Sequence, residues 1–137
     1  MPTEIISGLW IGDVNDIYKT DFYKDNNINI AINCTKDQEF LNLDGLKKIR
    51  LPLSNDLDMN NDMYMLQEKK DNILNFINNS LEENNIFIYC HNGLTISPLI
   101  VALYMIFLGG ISKDKVRDIL RSKNNNICLD CDLSIFQ

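Results

Sequence analysis

Basic residues are in short supply. Only 13 Lys and Arg stand against 19 Asp and Glu in 137 residues, giving a net charge of -6 and a pI of about 4.6. Nucleic acid and anionic membrane both require a basic face, so neither is an expected partner. The same deficit makes the surface a poor general attractor of phosphorylated substrates. Long apolar runs are missing as well. The longest, Leu99 to Leu108, is about half of the ~20 residues that a bilayer span needs, and a buried helix explains it better. The opening MPTEIISG lacks a charged stretch followed by an apolar one, so no secretory signal is expected. Cysteine is confined to Cys34, Cys90, Cys128 and Cys131, in no spacing that makes a secreted disulfide framework. Together these absences predict a reducing, cytoplasmic setting. Cys128-Leu129-Asp130-Cys131 has CxxC spacing, yet redox motifs of that kind open a helix after a strand, and this one lies in an Asn-rich tail. Two further zinc ligands are not on offer, so neither a metal nor a cofactor is expected.

What remains is ordinary for a folded domain. Hydrophobic residues make up 45% and charged residues 23%, and the length suits one domain over 1–137. Abundant Asn and Ile, with runs such as Asn124-Asn125-Asn126, carry the bias of an AT-rich coding sequence and hint at a large DNA virus or a protist. Glu4 to Val14 reads as a strand broken at a Gly turn. Ile28 to Thr35, Ile49 to Leu53 and Ile86 to Tyr89 read as short buried strands bounded by polar turns. From Asp62 to Glu83, Met63, Leu66, Ile73, Leu74, Ile77 and Leu81 recur at helical spacing and predict a long amphipathic helix. Pro98 suits a first helical turn, so the next helix is expected to begin at Ser97 or Pro98 and to stop at Gly109-Gly110. Ser112 is placed to cap a last helix with Val116, Ile119 and Leu120 inward. Strands alternating with helices predict an α/β fold: a three-layer sandwich with a central, mostly parallel twisted sheet.

One stretch carries chemistry: Ile88-Tyr89-Cys90-His91-Asn92-Gly93-Leu94-Thr95-Ile96-Ser97-Pro98. It leaves a buried strand at its carboxyl end and enters a helix N-terminus, which is where open α/β sheets place their sites. Backbone N–H groups and the helix dipole make such a turn a cradle for an anion. Taken alone, a Cys before a Gly loop is more often a small buried hydrophobe, and Asp56 in SND is a turn former. The agreement of strand, spacing, Ser-Pro and upstream Asp gives Cys90 a further meaning.

With these pieces together the chain resembles the cysteine-dependent dual-specificity protein phosphatases, over nearly its whole length, and its spacing is most similar to the compact poxviral members. The family's loop reads His-Cys, two residues, Gly, two residues, Arg-Ser. The resemblance implies that Cys90 stands at the nucleophile, Gly93 at the loop glycine and Ser97 at the hydroxyl assisting the thiolate. His91, Asn92, Gly93, Leu94, Thr95 and Ile96 would then form the phosphate loop. LPLSND places Asp56 where the general acid belongs, with Asp58 as a substitute two residues later. Beside the family pattern, the last helix is expected to be truncated. No N-terminal helix of the kind that exchanges between poxviral protomers is evident, which favours a monomer.

Two positions depart from that pattern. Tyr89 replaces the His that orients the loop, and Ile96 replaces the Arg whose fork holds two phosphoryl oxygens. A comparable Arg clamp contributes ~10³–10⁵ in phosphoryl-transfer rate, which is about 4–7 kcal/mol of barrier. His91, the only histidine, is expected in an exposed part of the loop, and its reach is too short to replace the Arg. No Lys or Arg occurs between Lys70 and Lys113. The leading expectation is therefore a pseudophosphatase, inactive or severely impaired, that binds a protein partner, phosphorylated or not, in the cytoplasm (the host's, or a virion, if viral). Two alternatives stay open. One is an active phosphatase on phosphotyrosine or phosphoserine/threonine that borrows a cation from Arg50, Arg117 or Arg121. The other is a binding module whose contacts lie away from a vestigial pocket.

Overall fold

Isoleucine at alternate positions builds the middle of the sheet. A computed structural model describes residues 1–54, 61–129 and 133–136. Among these residues lies a five-stranded sheet in the order β1-β2-β5-β3-β4. The strands are β1 (Thr3–Ile6), β2 (Leu9–Gly12), β3 (Ile28–Asn33), β4 (Lys47–Arg50) and β5 (Asn85–Tyr89). Only the β1–β2 hairpin is antiparallel; β2–β5, β5–β3 and β3–β4 are parallel. Gly8 turns the hairpin with a φ of 83°, a conformation costly for other residues.

The helices are α1 (Thr20–Asp25), α2 (Asp62–Ser80), α3 (Ile96–Phe107) and α4 (Lys113–Lys123). Period-two alternation on the central strands feeds two cores. Ile30, Ile32, Ile86 and Ile88 pack with α2, α3 and α4, while Ala31, Phe87 and Tyr89 pack with Tyr23 of α1 and with Ile17. The α/β fold, a mixed and mainly parallel sheet flanked by helices, is as expected. No helix among the described residues is long and apolar enough to cross a membrane.

Some boundaries differ. The strand expected over Ile49–Leu53 lies at Lys47–Arg50. Leu51 and Leu53 are buried beyond it; the Leu51 N–H still reaches Asn33 O at 2.9 Å, but Pro52 has no N–H to continue the ladder. As the edge strand, β4 carries Lys47 and Lys48 exposed, a polar guard that hides a strand from pattern reading. Helix α2 stops at Ser80 rather than Glu83, and α3 starts at Ile96, one residue early. The short α1 has too few turns to show a stripe. Ser112 does cap α4, its side chain accepting from Lys115 N–H.

Candidate active-site loop

β5 runs between β2 and β3 and delivers Cys90 one residue past its end, at the carboxyl edge of three parallel strands. The loop is then fixed from several sides. Cys90 N–H donates to Gly12 O at 3.2 Å, Val14 N–H to His91 O at 3.5 Å, and Cys128 N–H to Leu94 O at 2.8 Å. The Asn92 carboxamide oxygen accepts from Leu94 N–H at 2.9 Å, and its nitrogen lies 3.4 Å from Thr95 Oγ1. Gly93 has a φ of 69°, and a Cβ there would stand 3.0 Å from the Gly12 backbone. Glycine is thus required at 93 both for conformation and for the close approach. Asp16, fully buried, supports the Gly12 turn by accepting from Asp13 N–H at 3.1 Å and from Lys19 Nζ at 2.6 Å. Burial pushes its carboxyl pKa up, but those donors and the N-terminal ammonium outweigh burial and hold it below the usual value.

At the centre of this turn is the Cys90 sulfur, 1% exposed. It accepts from Gly93 N–H at 3.2 Å and from Ser97 N–H at 3.3 Å. Its thiol lies 3.3 Å from the Ser97 oxygen; if the sulfur is ionised, the same geometry lets the hydroxyl donate. No side chain caps α3 at Thr95; one of the helix's otherwise unpaired N–H groups, that of Ser97, donates to the sulfur. Two amides and a hydroxyl converging on sulfur suit a negative charge there.

Of the residues singled out from the sequence, Cys90, Gly93 and Ser97 lie together at the sulfur, with Asn92, Leu94 and Thr95 shaping the turn. Asp56 and Asp58 lie outside the described residues, as does Cys131. His91 is not an exposed loop residue. Its side chain is 22% exposed because Nε2 turns to Asp37 Oδ1, 3.2 Å away, so the loop's one potential cation faces a carboxylate. Ile96 is 1% exposed and belongs to the apolar cluster of α2, α3 and α4. Arg50 gives its two terminal nitrogens to Thr35 O (2.8 Å) and Gln38 O (2.7 Å) and lies over the Phe40 ring. The Arg117 Nε donates to Leu129 O at 3.2 Å, and Arg121 is exposed on α4. The seat formed by Gly12 and Asp16, and the role of Asp37, were invisible in the sequence because only the sheet order brings them to the loop.

Tyr89, on the opposite face from Cys90, is fully buried, and among the described residues its hydroxyl has no hydrogen-bond partner. Asn33 is near enough to act on it and gives its oxygen to Thr35 and one of its two amide hydrogens to Gln38 O, but it makes no bond of good geometry to the Tyr89 hydroxyl. Burial drives the Tyr89 hydroxyl pKa well above its ordinary value. An orphaned buried hydroxyl costs about 1–3 kcal/mol. Tyr89→Phe is therefore expected to leave the fold intact and raise stability by about 1 kcal/mol, read as a higher urea midpoint. A lower midpoint would mean that the hydroxyl has a partner.

The dual specificity phosphatase, catalytic domain family matches residues 9–134. No curated protein sequence matches the chain. Among solved structures, human DUSP28 superposes with a TM-score of 0.83 at 15% identity, over 94% of this chain and 84% of that one. A mouse putative dual specificity phosphatase complexed with zinc tungstate gives 0.79 at 18%, over 94% and 79%. The human tyrosine phosphatase-like serine/threonine/tyrosine-interacting protein gives 0.78 at 14%, over 95% and 88%. At these identities the structures speak for the fold alone, whereas the family match spans nearly the whole chain: it belongs to the dual-specificity phosphatase family.

Proposed function

We propose that this chain is a pseudophosphatase that keeps the family's thiol cradle without its cation and works by binding a protein partner. The observation that carries the reading is position 96, where an isoleucine, buried in the helix-side core, stands in place of the family's arginine. A phosphoryl dianion at Cys90 would meet amide dipoles but no full positive charge from the loop, since His91 is directed to Asp37. Dipoles position an anion; the missing guanidinium would have followed its oxygens into the transition state. The human neighbour's name, tyrosine phosphatase-like serine/threonine/tyrosine-interacting protein, is in keeping with an interaction role on this fold. We take the working form to be a cytoplasmic monomer whose partner is recognised by surface shape, so that binding is indifferent to phosphorylation.

A second reading rests on the intact contacts around sulfur. In it Cys90 attacks phosphorus, Asp56 protonates the leaving oxygen and Ser97 assists the departing thiolate, with turnover slow for want of the arginine. The third reading, a binding module acting through another surface, needs none of these contacts.

Titrating inorganic tungstate into wild type and Ile96→Arg by calorimetry tests the proposal. A charge-assisted hydrogen bond is worth about 1.5–3 kcal/mol, so the arginine variant should bind about 10- to 100-fold tighter than wild type. Wild-type affinity equal to the variant's would contradict the missing-cation account and favour a phosphate reader.

A further inference from the structure

β4 is the sheet's outer strand on the side away from β1, and its charge sets it apart in an acidic chain. Lys47, Lys48 and Arg50 are exposed along it, and Lys69 is exposed beside it on α2. None of these cations meets a carboxylate among the described residues. The Lys47 ammonium lies over the Phe76 ring, 5.0 Å from its centroid, and the Arg50 guanidinium is held by carbonyls rather than by an acid. Between β4 and α2 runs a groove of about 230 Å³. Ile49, Leu51, Ile73 and Phe76 make its apolar floor, Arg50 and Lys69 stand at its rim, and no acidic residue lines it. That volume is below the ~300–1,000 Å³ of small-molecule sites, so it suits single side chains of a larger partner.

The backbone of β4 is half free. Leu51 N–H donates to Asn33 O at 2.9 Å, and Asn33 stands opposite Arg50. In a parallel ladder this assigns Lys47, Ile49 and Leu51 to β3 and turns the N–H and C=O of Lys48 and Arg50 outward. Those outward groups have no partner among the described residues. Pro52 ends the edge, having no N–H to offer.

The bland reading is a guarded edge, on which lysines keep other strands away. That guard is selective by sign. A second copy of the chain pairing here would set Lys47, Lys48 and Arg50 against like charges, which destabilises a strand pair. Glutamates or aspartates would be drawn to all of them. We propose that the β4 edge and its groove dock an extended acidic segment of a partner protein, which adds to the sheet as its next strand. The segment's backbone pairs with Lys48 and Arg50, and an apolar side chain settles between Ile49 and Phe76. The charges it needs are carboxylates, so docking requires no phosphate. β4 lies two strands from β5, and the surface stands whether or not Cys90 turns over.

The probe is a dye-labelled peptide of alternating glutamate and valine, titrated into the whole protein by fluorescence anisotropy. A lysine–valine peptide and a glutamate–serine peptide serve as controls, and amide hydrogen exchange is read on the saturated complex. Saturable binding of the glutamate–valine peptide, tighter than of either control, is expected, with slowed exchange at the Lys48 and Arg50 N–H groups. The Lys48→Glu, Lys69→Glu double variant should bind at least about 10-fold more weakly. Should that variant fail to fold, wild-type exchange and the control peptides decide. Equal binding of a control peptide, tighter binding of an oligothymidylate, or undiminished binding by the folded variant overturns the inference. So does binding that leaves the Lys48 and Arg50 amides unprotected, or no binding up to about 1 mM.

Discussion

Ile96→Arg is expected to raise hydrolysis of a small aryl phosphate by up to a few orders of magnitude, the scale of Arg clamps in phosphoryl transfer (~10³–10⁵). Cys90, Gly93 and Ser97 already make their mutual contacts, so under the pseudophosphatase proposal the missing cation is the chief defect. The gain should fall short of the full range for two reasons. Ile96 is part of the apolar core, and a guanidinium that stayed there unpaired would cost several kcal/mol; it must swing towards the sulfur instead, leaving a gap behind it. Tyr89 also stands where the family's orienting His belongs, and adding Tyr89→His should increase the rate further. Circular dichroism and a urea midpoint establish that each variant is folded. Folded variants that stay inert would show that the loop has drifted in geometry, and would favour the reading in which binding occurs on another surface.

The second large effect is its reverse. Cys90→Ser in the Ile96→Arg background should return hydrolysis to the blank, a loss as large as the whole gain. The sulfur is the group on which the loop's amides and the Ser97 hydroxyl converge, and a serine hydroxyl at neutral pH is a far weaker nucleophile. Retained hydrolysis would place the revived chemistry elsewhere. In the same background Asp56→Asn should slow substrates with poor leaving groups most, since those depend on the delivered proton.

The fold and the loop were unequally legible in the sequence. Ile28–Asn33 and Asn85–Tyr89 lie close to where the apolar runs place them, and α2 follows its stripe, because burial on one face writes a period into the residues. The resemblance to the family's loop singled out Cys90, Gly93 and Ser97, and the turn brings these three together around one sulfur. β4 was misplaced because an edge strand buries little and advertises itself with lysines. Contacts set by sheet order left no local trace. The His91–Asp37 pair has no sequence signal, since it joins segments that meet only after β3 and β5 pair.

The most direct test of the central claim is the turnover of wild type with a saturating small aryl phosphate, measured beside Cys90→Ser and an active dual-specificity phosphatase. The account predicts a wild-type rate at least about 10³-fold below the active enzyme, the lower bound set by loss of an Arg clamp, and close to the Cys90→Ser blank. A wild-type rate matching the active enzyme and abolished by Cys90→Ser would contradict it.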